Sequence, residues 1–367
     1  MDRRMFLSGM GTGGLLLVTT TACRAAIGSG GAYQDVTAHG AKGDAKMLND
    51  AAFQAAVDAL PSTGGEIYIP PGIYLRADTT RTGGKPVVFR GAGKSICSIE
   101  VVHQSNDLFV HSGVESAEFR DFTIYSSVQR TGGAYIRLDP GAGKINYSSA
   151  VERVRMYGYY VGVDLVRCSD ARIRDCPFNG KAGTYAALLI RNLTNADSGD
   201  NSVTGCFFGG PGGAGIRQES SGGLRLIDNK FNGLVDSFIL SPNGEISTSI
   251  LLIQGNSFEN ATRQNILLDQ GNGKTVFTYG VITGNQFGYA PTAISVKGGG
   301  KSFFGFVIDH NIFAVPNNGV GILLDGGNMF QVKDNLFDGV GTGGKSIVVT
   351  KAEVNPDVGA NRLRNVP

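Results

Sequence analysis

Five short stretches between residues 224 and 340 share one pattern of apolar and polar positions. Each has a short apolar run, then a polar residue or glycine, an asparagine, one variable residue and a phenylalanine. The copies read LRLIDNKF, LLIQGNSF, GVITGNQF, FVIDHNIF and FQVKDNLF, with Asn229, Asn256, Asn285, Asn311 and Asn335 spaced by 27, 29, 26 and 24 residues. A repeat of this length, built from short β-type runs without a helix-length run, predicts stacked repeats.

One such repeat cannot bury its own apolar side, whereas stacked repeats can. The pattern therefore predicts an all-β parallel β-helix of about ten coils over residues 86–351, rising about 4.8 Å per coil. The asparagine is expected at a tight corner, because asparagine tolerates left-handed backbone angles and its amide can bond the next coil. The phenylalanine is expected to point inward and stack. Two earlier stretches place Cys176 and Cys206 at the asparagine position, where we interpret them as small buried residues.

A helix is predicted at residues 49–60, before the repeats begin. Asn49 is a candidate N-cap, and Pro61 ends the segment. One face carries the apolar residues Phe53, Ala56, Val57 and Leu60. A solenoid needs its open end covered, so this helix is the expected cap.

The strings HGAKGD and GGEIYIPPGIYL, with the short helix after Asp50 between them, closely resemble the start of the pectate-lyase-like superfamily. The resemblance, to its pectate lyase 3 and glycoside hydrolase 28-related type, covers roughly residues 33–351. It implies a right-handed helix, and structural roles for Asp44 and Asp50. The superfamily includes lyases, hydrolases, epimerases, transferases and phage tailspikes, so the resemblance alone does not select a reaction. The Gly-His-Gly of polygalacturonases and the Asp-Pro-His-Asp of bacterial alginate epimerases are absent, which argues against both.

Residues 1–26 resemble a twin-arginine export signal, with Arg3-Arg4 before a short apolar core. Cys23 is a candidate site for a lipid anchor, and ordinary cleavage near Ala25 or Ala26 is the alternative. We therefore expect residues 27–367 to form the β-helix domain and to be periplasmic, surface-anchored or extracellular.

Composition gives no sign of nucleic-acid binding or of a cysteine-based zinc or redox site. The net charge of +2 gives no indication of nucleic-acid binding. The five cysteines have neither zinc-site nor redox-motif spacing. Tryptophan is absent, and the 12 tyrosines are the available stacking platforms for sugars.

The first strands of successive coils are expected to be AYIRLD, VGVDLV, ALLIR, GIRQE, SFILS, NILLD, AISVK, GILLD and SIVVT. Alternation places their outward residues in two columns. The first holds Arg137, Asp164, Leu189, Arg217, Ile239, Leu267, Ser295, Leu323 and Val348. The second holds Asp139, Val166, Arg191, Glu219, Ser241, Asp269, Lys297, Asp325 and Thr350. The resemblance implies that substrate lies along this sheet.

The predicted catalytic residues are Glu219, Arg217, Arg191 and Asp269, because they combine acids and bases beside the loops Asn192–Asp200 and Pro242–Ser249. The predicted substrate-binding residues are Asp164, Lys297, Asp325, Arg137 and Asp139. Glu245 and the loops of Tyr147 and Tyr279 are secondary candidates. The alternative is a solvated face with coil-to-coil ion pairs, such as Asp269 with Lys297.

Three functions remain open. The preferred one is β-elimination on a uronic-acid polysaccharide, with Arg191, Arg217 or Lys297 as base. An arginine, or Ca²⁺ held by Asp164, Glu219 and Asp269, would neutralise the substrate acid. The second is hydrolysis by two carboxylates, for which Glu219 and Asp269, or Asp269 and Asp325, are about two coil rises apart. The third is a non-catalytic glycan-binding or trimeric β-helix, indicated by the outward Leu189, Ile239, Leu267 and Leu323.

Overall fold

The computed structural model describes residues 31–191, 199–219, 222–241, 247–270, 276–298, 303–351 and 356–364, without the side chains of 247–249 and 276–278. The leader predicted at residues 1–26, with Cys23, lies outside the described residues, as do Glu245 and most of both predicted groove loops. Of the helices within the described ranges, none has the length and apolar character that a bilayer span requires.

Three parallel sheets run the length of the molecule, and each coil adds a strand to each of them in turn. The first sheet has 11 strands: Thr80–Arg81, Phe109–His111, Ala134–Leu138, Val161–Val166, Ala186–Arg191, Ala214–Gln218, Asp236–Leu240, Gln264–Asp269, Thr292–Lys297, Val320–Asp325 and Lys345–Val349. This is the right-handed parallel β-helix that the repeats and the superfamily resemblance predict, with about eleven coils.

The second sheet contains the strand before each asparagine corner. Its strands are Tyr33–Asp35, Gly65–Ile69, Val87–Gly91, Ala117–Arg120, Ala150–Glu152, Arg172–Arg174, Asn201–Thr204, Leu224–Ile227, Ser247–Gln254, Val276–Thr283, Phe303–Phe304, Val307–Asp309, Gln331–Lys333 and Asp357–Val358.

The third sheet contains the strand after each corner. Its strands are Asp44–Leu48, Gly72–Arg76, Cys97–Val101, Thr123–Ser126, Arg155–Tyr157, Pro177–Asn179, Phe207–Gly209, Lys230–Asn232, Ser257–Glu259, Gln286–Gly288, Ile312–Ala314, Leu336–Asp338 and Arg362–Arg364. Asn146–Tyr147 and Cys168–Ser169 form a separate small sheet.

The predicted capping helix is present, with shorter bounds and a different N-terminal contact. It spans Asp50–Asp58, and a 3-10 helix precedes it at Val36–His39. Asn49 makes no side-chain cap bond; it is buried and its Oδ1 accepts from the backbone N–H of Lys42 at 2.7 Å. Asp50 accepts from the fully buried Arg76 at 2.8 Å, in agreement with its predicted structural role. The solenoid also begins earlier than predicted, because the strands at 33–35 and 44–48 already join its sheets.

The predicted asparagine ladder is confirmed. Oδ1 of Asn285 accepts from both the backbone N–H and the amide of Asn256 at 2.9 Å. The amide of Asn285 donates in turn to Asn311 at 3.0 Å. The five predicted asparagines are each almost fully buried, so every coil supplies hydrogen bonds that water cannot replace there.

The position of the left-handed backbone differs from the prediction. It falls on the residue before each asparagine, where φ is 55° at Asp228, 52° at His310 and 56° at Asp334. The remaining two corners have glycine there, with φ of 68° at Gly255 and 65° at Gly284. The preceding residue therefore makes the turn, which leaves each asparagine side chain pointing along the ladder.

The phenylalanines two residues after the ladder positions stack inside the solenoid as predicted. Neighbouring rings lie 4.8–5.0 Å apart and within 12° of parallel, in the series Phe178, Phe208, Phe231, Phe258, Phe287, Phe313 and Phe337. Cys176 and Cys206 are buried free thiols at the head of the ladder, as expected. Each ring contact contributes on the order of 1 kcal/mol beyond its area burial.

Replacing Asn285 with alanine is expected to lower the free energy of unfolding by about 1–3 kcal/mol, because buried partners in both neighbouring coils lose their hydrogen bonds. Urea unfolding monitored by circular dichroism measures the change. The control is Asn232→Ala, which removes an exposed bond from Asn260 at 3.0 Å and should have little effect. Equal midpoints for both variants and the wild type would show that the ladder is solvated.

Candidate functional site

The register of the first sheet brings the two predicted outward columns into line. Arg137 pairs with Asp164, Asp164 with Leu189, and Leu189 with Arg217 in successive strands. In the second column Asp269 pairs with Lys297, and Lys297 with Asp325. The columns deduced from alternation are therefore correct, and a line of charged side chains does cross this face.

The apolar members of the first column are buried rather than exposed. Leu189 is 6% exposed, Ile239 is 3% exposed and Leu267 is 9% exposed. They belong to small clusters on this face with Ala186, Ala214 and the ring of Tyr185. The exposed apolar stripe suggested for a structural trimer is therefore absent at these three positions.

Asp164 anchors the centre of the charged face. Its side chain is 5% exposed and receives two hydrogen bonds from Arg191, at 2.9 Å to Oδ1 and 2.7 Å to Oδ2. The guanidinium of Arg137 lies 3.8 Å from the same carboxylate and 2.9 Å from Asp139. A carboxylate bonded on both oxygens is poorly placed to transfer a proton, so Asp164 is best suited to hold the two arginines in position.

A second hydrogen-bonded group, made of Tyr185, Glu219 and Arg217, lies beside the Asp164 group. The hydroxyl of Tyr185 donates to Oε1 of Glu219 at 2.6 Å, and Nε of Arg217 donates to the same oxygen at 2.6 Å. The guanidinium of Arg217 also lies 5.3 Å from the centre of the Tyr185 ring. Among the described residues, both hydrogen bonds to the Glu219 carboxylate are accepted by Oε1.

An aromatic pair borders both groups. The rings of Tyr160 and Tyr185 stack with centroids 5.8 Å apart and an interplanar angle of 17°. Together with Asp107, Arg137, Asp164 and Arg191, they line a cavity of about 210 Å³. The cavity thus combines tyrosine rings, which can stack on a sugar, with guanidinium groups, which can bind an acid.

The titration of these groups limits their roles. The hydrogen bonds that Arg191 donates to Asp164 raise the pKa of Arg191, so Arg191 is a poor base and a stable cation. Burial raises the pKa of Tyr185 to about 12, and its bond to Glu219 acts in the same direction. The hydroxyl of Tyr185 is therefore a proton donor at neutral pH.

Only part of the predicted site lies together. Arg137, Asp139, Asp164, Arg191, Arg217 and Glu219 form the two adjacent groups described above. Asp269 lies two coils beyond Glu219. Asp325 is five coils from Arg191, roughly 24 Å along the axis from the strand spacing; its carboxylate binds Thr350 and lies 3.6 Å from Lys351. Lys297 and Asp325 therefore belong to a different part of the face.

The three acids considered for Ca²⁺ do not assemble. Within the described ranges no group of three or more His, Cys, Asp or Glu residues is close enough to hold a metal ion. Asp164 and Glu219 are instead occupied by Arg191 and Arg217. Two of the three acids considered for Ca²⁺ therefore have arginine partners.

Tyr160, Tyr185 and Asp107 were missed by the sequence reasoning. Tyr160 and Tyr185 directly precede first-sheet strands of successive coils, and the backbone N–H of Tyr185 donates to the carbonyl of Tyr160 at 2.8 Å. Extending the strand alignment by one residue would have shown the pair. Among the secondary candidates, Tyr147 and Tyr279 are 50% and 64% exposed and lie outside the cavity lining.

Removing the hydrogen bonds between Arg191 and Asp164 tests this electrostatic arrangement. Arg191→Met should lower the free energy of unfolding by on the order of 3 kcal/mol at pH 7, because it leaves Asp164 buried with a weaker cationic partner. Burial already raises the pKa of Asp164. The penalty is present above the native-state pKa of Asp164 and fades as pH falls toward the ordinary aspartate value of about 4.

Urea unfolding of Arg191→Met and the wild type at several pH values between neutral and mildly acidic measures this dependence. The control is Arg174→Met, whose side chain is 53% exposed and pairs with Glu152, and which should cost little at any pH. A deficit that stays constant with pH would contradict the assignment of the penalty to Asp164.

Comparison with known proteins finds similarity in structure and none in sequence. No protein-family model and no curated protein sequence matches the chain. The A-module of the Azotobacter vinelandii mannuronan C-5 epimerase AlgE4 superposes with a TM-score of 0.59 at 16% identity, covering 91% of this chain and 96% of that one. The catalytic unit of a GH87 α-1,3-glucanase from Streptomyces thermodiastaticus gives 0.53 at 17% identity, covering 90% and 68%.

A third similar structure is ORF18 of Geobacillus virus E2, with a TM-score of 0.57 at 17% identity over 90% of this chain. The chain spans only 60% of that viral protein. At these identities the likeness concerns the fold alone, and it agrees with the parallel β-helix that the sequence predicted.

Proposed function

We propose that this chain is an enzyme that cleaves a uronic-acid polysaccharide by β-elimination. The observation that carries the proposal is the Tyr185–Glu219–Arg217 group, which lies directly beside a cavity bordered by two further arginines. Elimination needs a cation to neutralise the substrate carboxylate, a base for the C5 proton and an acid for the leaving oxygen. The site offers a candidate for each.

Arg137 and Arg191 are the groups assigned to the substrate carboxylate. Both are held by the buried Asp164, and the raised pKa of Arg191 keeps it charged during binding. A positioned guanidinium can bind a carboxylate through two hydrogen bonds. This pairing withdraws charge from the carboxylate and thereby makes the neighbouring C5 proton more acidic.

Glu219 and Tyr185 are the groups assigned to proton transfer. Oε2 of Glu219 takes the C5 proton, a C4–C5 double bond forms, and the C4–O4 bond breaks. The hydroxyl of Tyr185 donates its proton to the departing O4. Glu219 then releases its proton to solvent and the Tyr185 phenolate takes one from solvent, which restores the hydrogen bond from Tyr185 to Glu219.

The similar structures support a polysaccharide substrate, without selecting the sugar or the reaction. One is named as an epimerase acting at C5 of mannuronan and another as an α-1,3-glucanase. The tyrosine pair suits a sugar ring, since tyrosine presents an apolar face with a polar edge.

Hydrolysis is the second candidate, favoured by the alignment of Glu219 and Asp269 in one outward column. They are two coils apart, roughly 9.6 Å at the backbone, and inverting glycosidases place their carboxylates about 6.5–9.5 Å apart. Under hydrolysis Asp269→Asn would remove activity, whereas under elimination it would not. A non-catalytic glycan-binding protein would leave every polysaccharide intact.

The assay is digestion of uronic and neutral polysaccharides, followed by ultraviolet absorbance of the unsaturated product and by reducing ends. Glu219→Gln and Tyr185→Phe should each lower kcat by about 10²–10⁴-fold, the usual contribution of a general base or acid. Tyr147→Phe is the matched control, because its ring lies outside the cavity lining. A chelator should leave activity unchanged if arginine, and not calcium, neutralises the substrate.

Different outcomes separate the alternatives. Reducing ends without ultraviolet absorbance would show hydrolysis. Loss of activity on chelation would indicate that the reaction requires calcium. Near-normal turnover in both Glu219→Gln and Tyr185→Phe would place the reaction elsewhere on the β-helix.

We also propose export through the twin-arginine pathway, on the basis of Arg3-Arg4 and the short apolar core that follows them. Changing both arginines to lysine should retain the precursor in the cytoplasm, as measured by fractionation and immunoblotting. Normal accumulation outside the cytoplasm would contradict this assignment. Labelling with a fatty acid, compared with a Cys23→Ala variant, tests the lipid anchor.

A further inference from the structure

A stacked irregularity interrupts the second sheet in its C-terminal half. The strands Ser247–Gln254 and Val276–Thr283 pair with each other before and after Ile250 and Tyr279. These two residues do not pair with each other. Both have left-handed backbones, with φ of 65° and 62°. Gly305 and Met329 have the same conformation in the next coils, with φ of 71° and 55°. The irregularity therefore repeats from coil to coil in the same place.

The residues at this irregularity are unusual for their conformation. Left-handed angles favour glycine or asparagine, and a β-branched or bulky residue adopts them only under constraint. Ile250, Tyr279 and Met329 are nevertheless 50%, 64% and 57% exposed, so their side chains gain little burial in return. Backbone strain of this kind costs free energy and is found mainly where another requirement outweighs stability.

The glycine between the tyrosine and the methionine opens a slot. A Cβ at Gly305 would lie 3.3 Å from Cδ1 of Tyr279, so any larger residue would crowd the tyrosine ring. The exposed Tyr279 and Met329, together with Val307 and the buried Phe306 and Phe330, line this slot. The cavity measures about 470 Å³, within the range of small-ligand sites.

The polar groups of the slot select the chemistry of its ligand. Gln331 and Asp357 border it, and no lysine or arginine is present among the described residues that line it. One tyrosine face, one thioether and two hydrogen-bonding side chains suit the C–H face and hydroxyls of a pyranose. An acidic sugar would meet Asp357 without a compensating cation. From this geometry we infer that the slot binds a neutral sugar residue of a glycan.

A protein partner fits the slot less well. A stable protein interface needs about 800 Å² per partner, whereas this slot accommodates a ligand of one or two sugar rings. It also differs from the first-sheet cavity, which carries the arginines. The slot and the cavity lie on different sheets, so the two sites would act as separate binding points for a polysaccharide, with the gain in avidity that linked sites give.

The test is affinity gel electrophoresis of the full chain in gels containing a soluble α-glucan, a β-glucan or a galactomannan. We expect retardation by at least one of these neutral polymers. Tyr279→Asn removes the ring but suits the left-handed backbone, so it should weaken retardation at least tenfold without lowering the thermal unfolding temperature. Met329→Asn should weaken retardation in the same direction.

Tyr289→Asn is the matched control, because Tyr289 is also left-handed, with φ of 52°, is 69% exposed, and borders a different cavity, of about 420 Å³. It should leave retardation unchanged. Retardation by a neutral polymer does not require turnover of a uronic-acid substrate, so failure of this inference is separable from failure of the proposed lyase activity. Three results would overturn the inference. They are no retardation of the wild type by any neutral polymer, equal loss in Tyr279→Asn and Tyr289→Asn, and self-association of the wild type that Tyr279→Asn abolishes.

Discussion

The structure depends on keeping each coil in register with the next. Parallel backbone hydrogen bonds join all three sheets, and the asparagine ladder adds side-chain bonds at one corner of successive coils. The stacked phenylalanines fill the space behind that corner with rings at the same spacing. Because side chains alternate across a strand, a slip of one residue would turn the whole core outward. Register is therefore the condition for both the core and the outer face.

Because the register is constant, charged side chains on the outer face of the first sheet are aligned from coil to coil. Residues 27 apart in the sequence, such as Asp164 and Arg191, become neighbours with hydrogen bonds of 2.7 and 2.9 Å. Burying such a pair is costly unless both partners are satisfied, which explains why Asp164 is bonded on both oxygens. That satisfied carboxylate holds the arginines rigidly at the edge of a cavity. For the proposed acidic substrate, preorganisation of this kind would remove the need to rearrange the arginines on binding.

The two candidate ligand sites differ in the charge of the side chains that border them. The first-sheet cavity is bordered by Arg137 and Arg191, whereas the slot on the second sheet has Asp357 and Gln331 at its border. They also differ in backbone, since the cavity lies on regular strands and the slot on stacked left-handed residues. A β-helix can thus carry unlike binding surfaces without changing its core, because the outward positions do not contribute to the central packing.

The amino-acid sequence by itself determined the fold and the alignment of the outward columns. Both follow from local rules: a period with one asparagine and one phenylalanine per coil, and alternation along each strand. It could not determine which aligned residues touch. Tyr185 reaches Glu219 across 34 residues of sequence, and the left-handed turn falls one residue before each ladder asparagine. Leu189, Ile239 and Leu267 are buried on the outer face because neighbouring groups pack over them. These outcomes depend on side-chain direction and on contacts between coils, which only the tertiary structure decides.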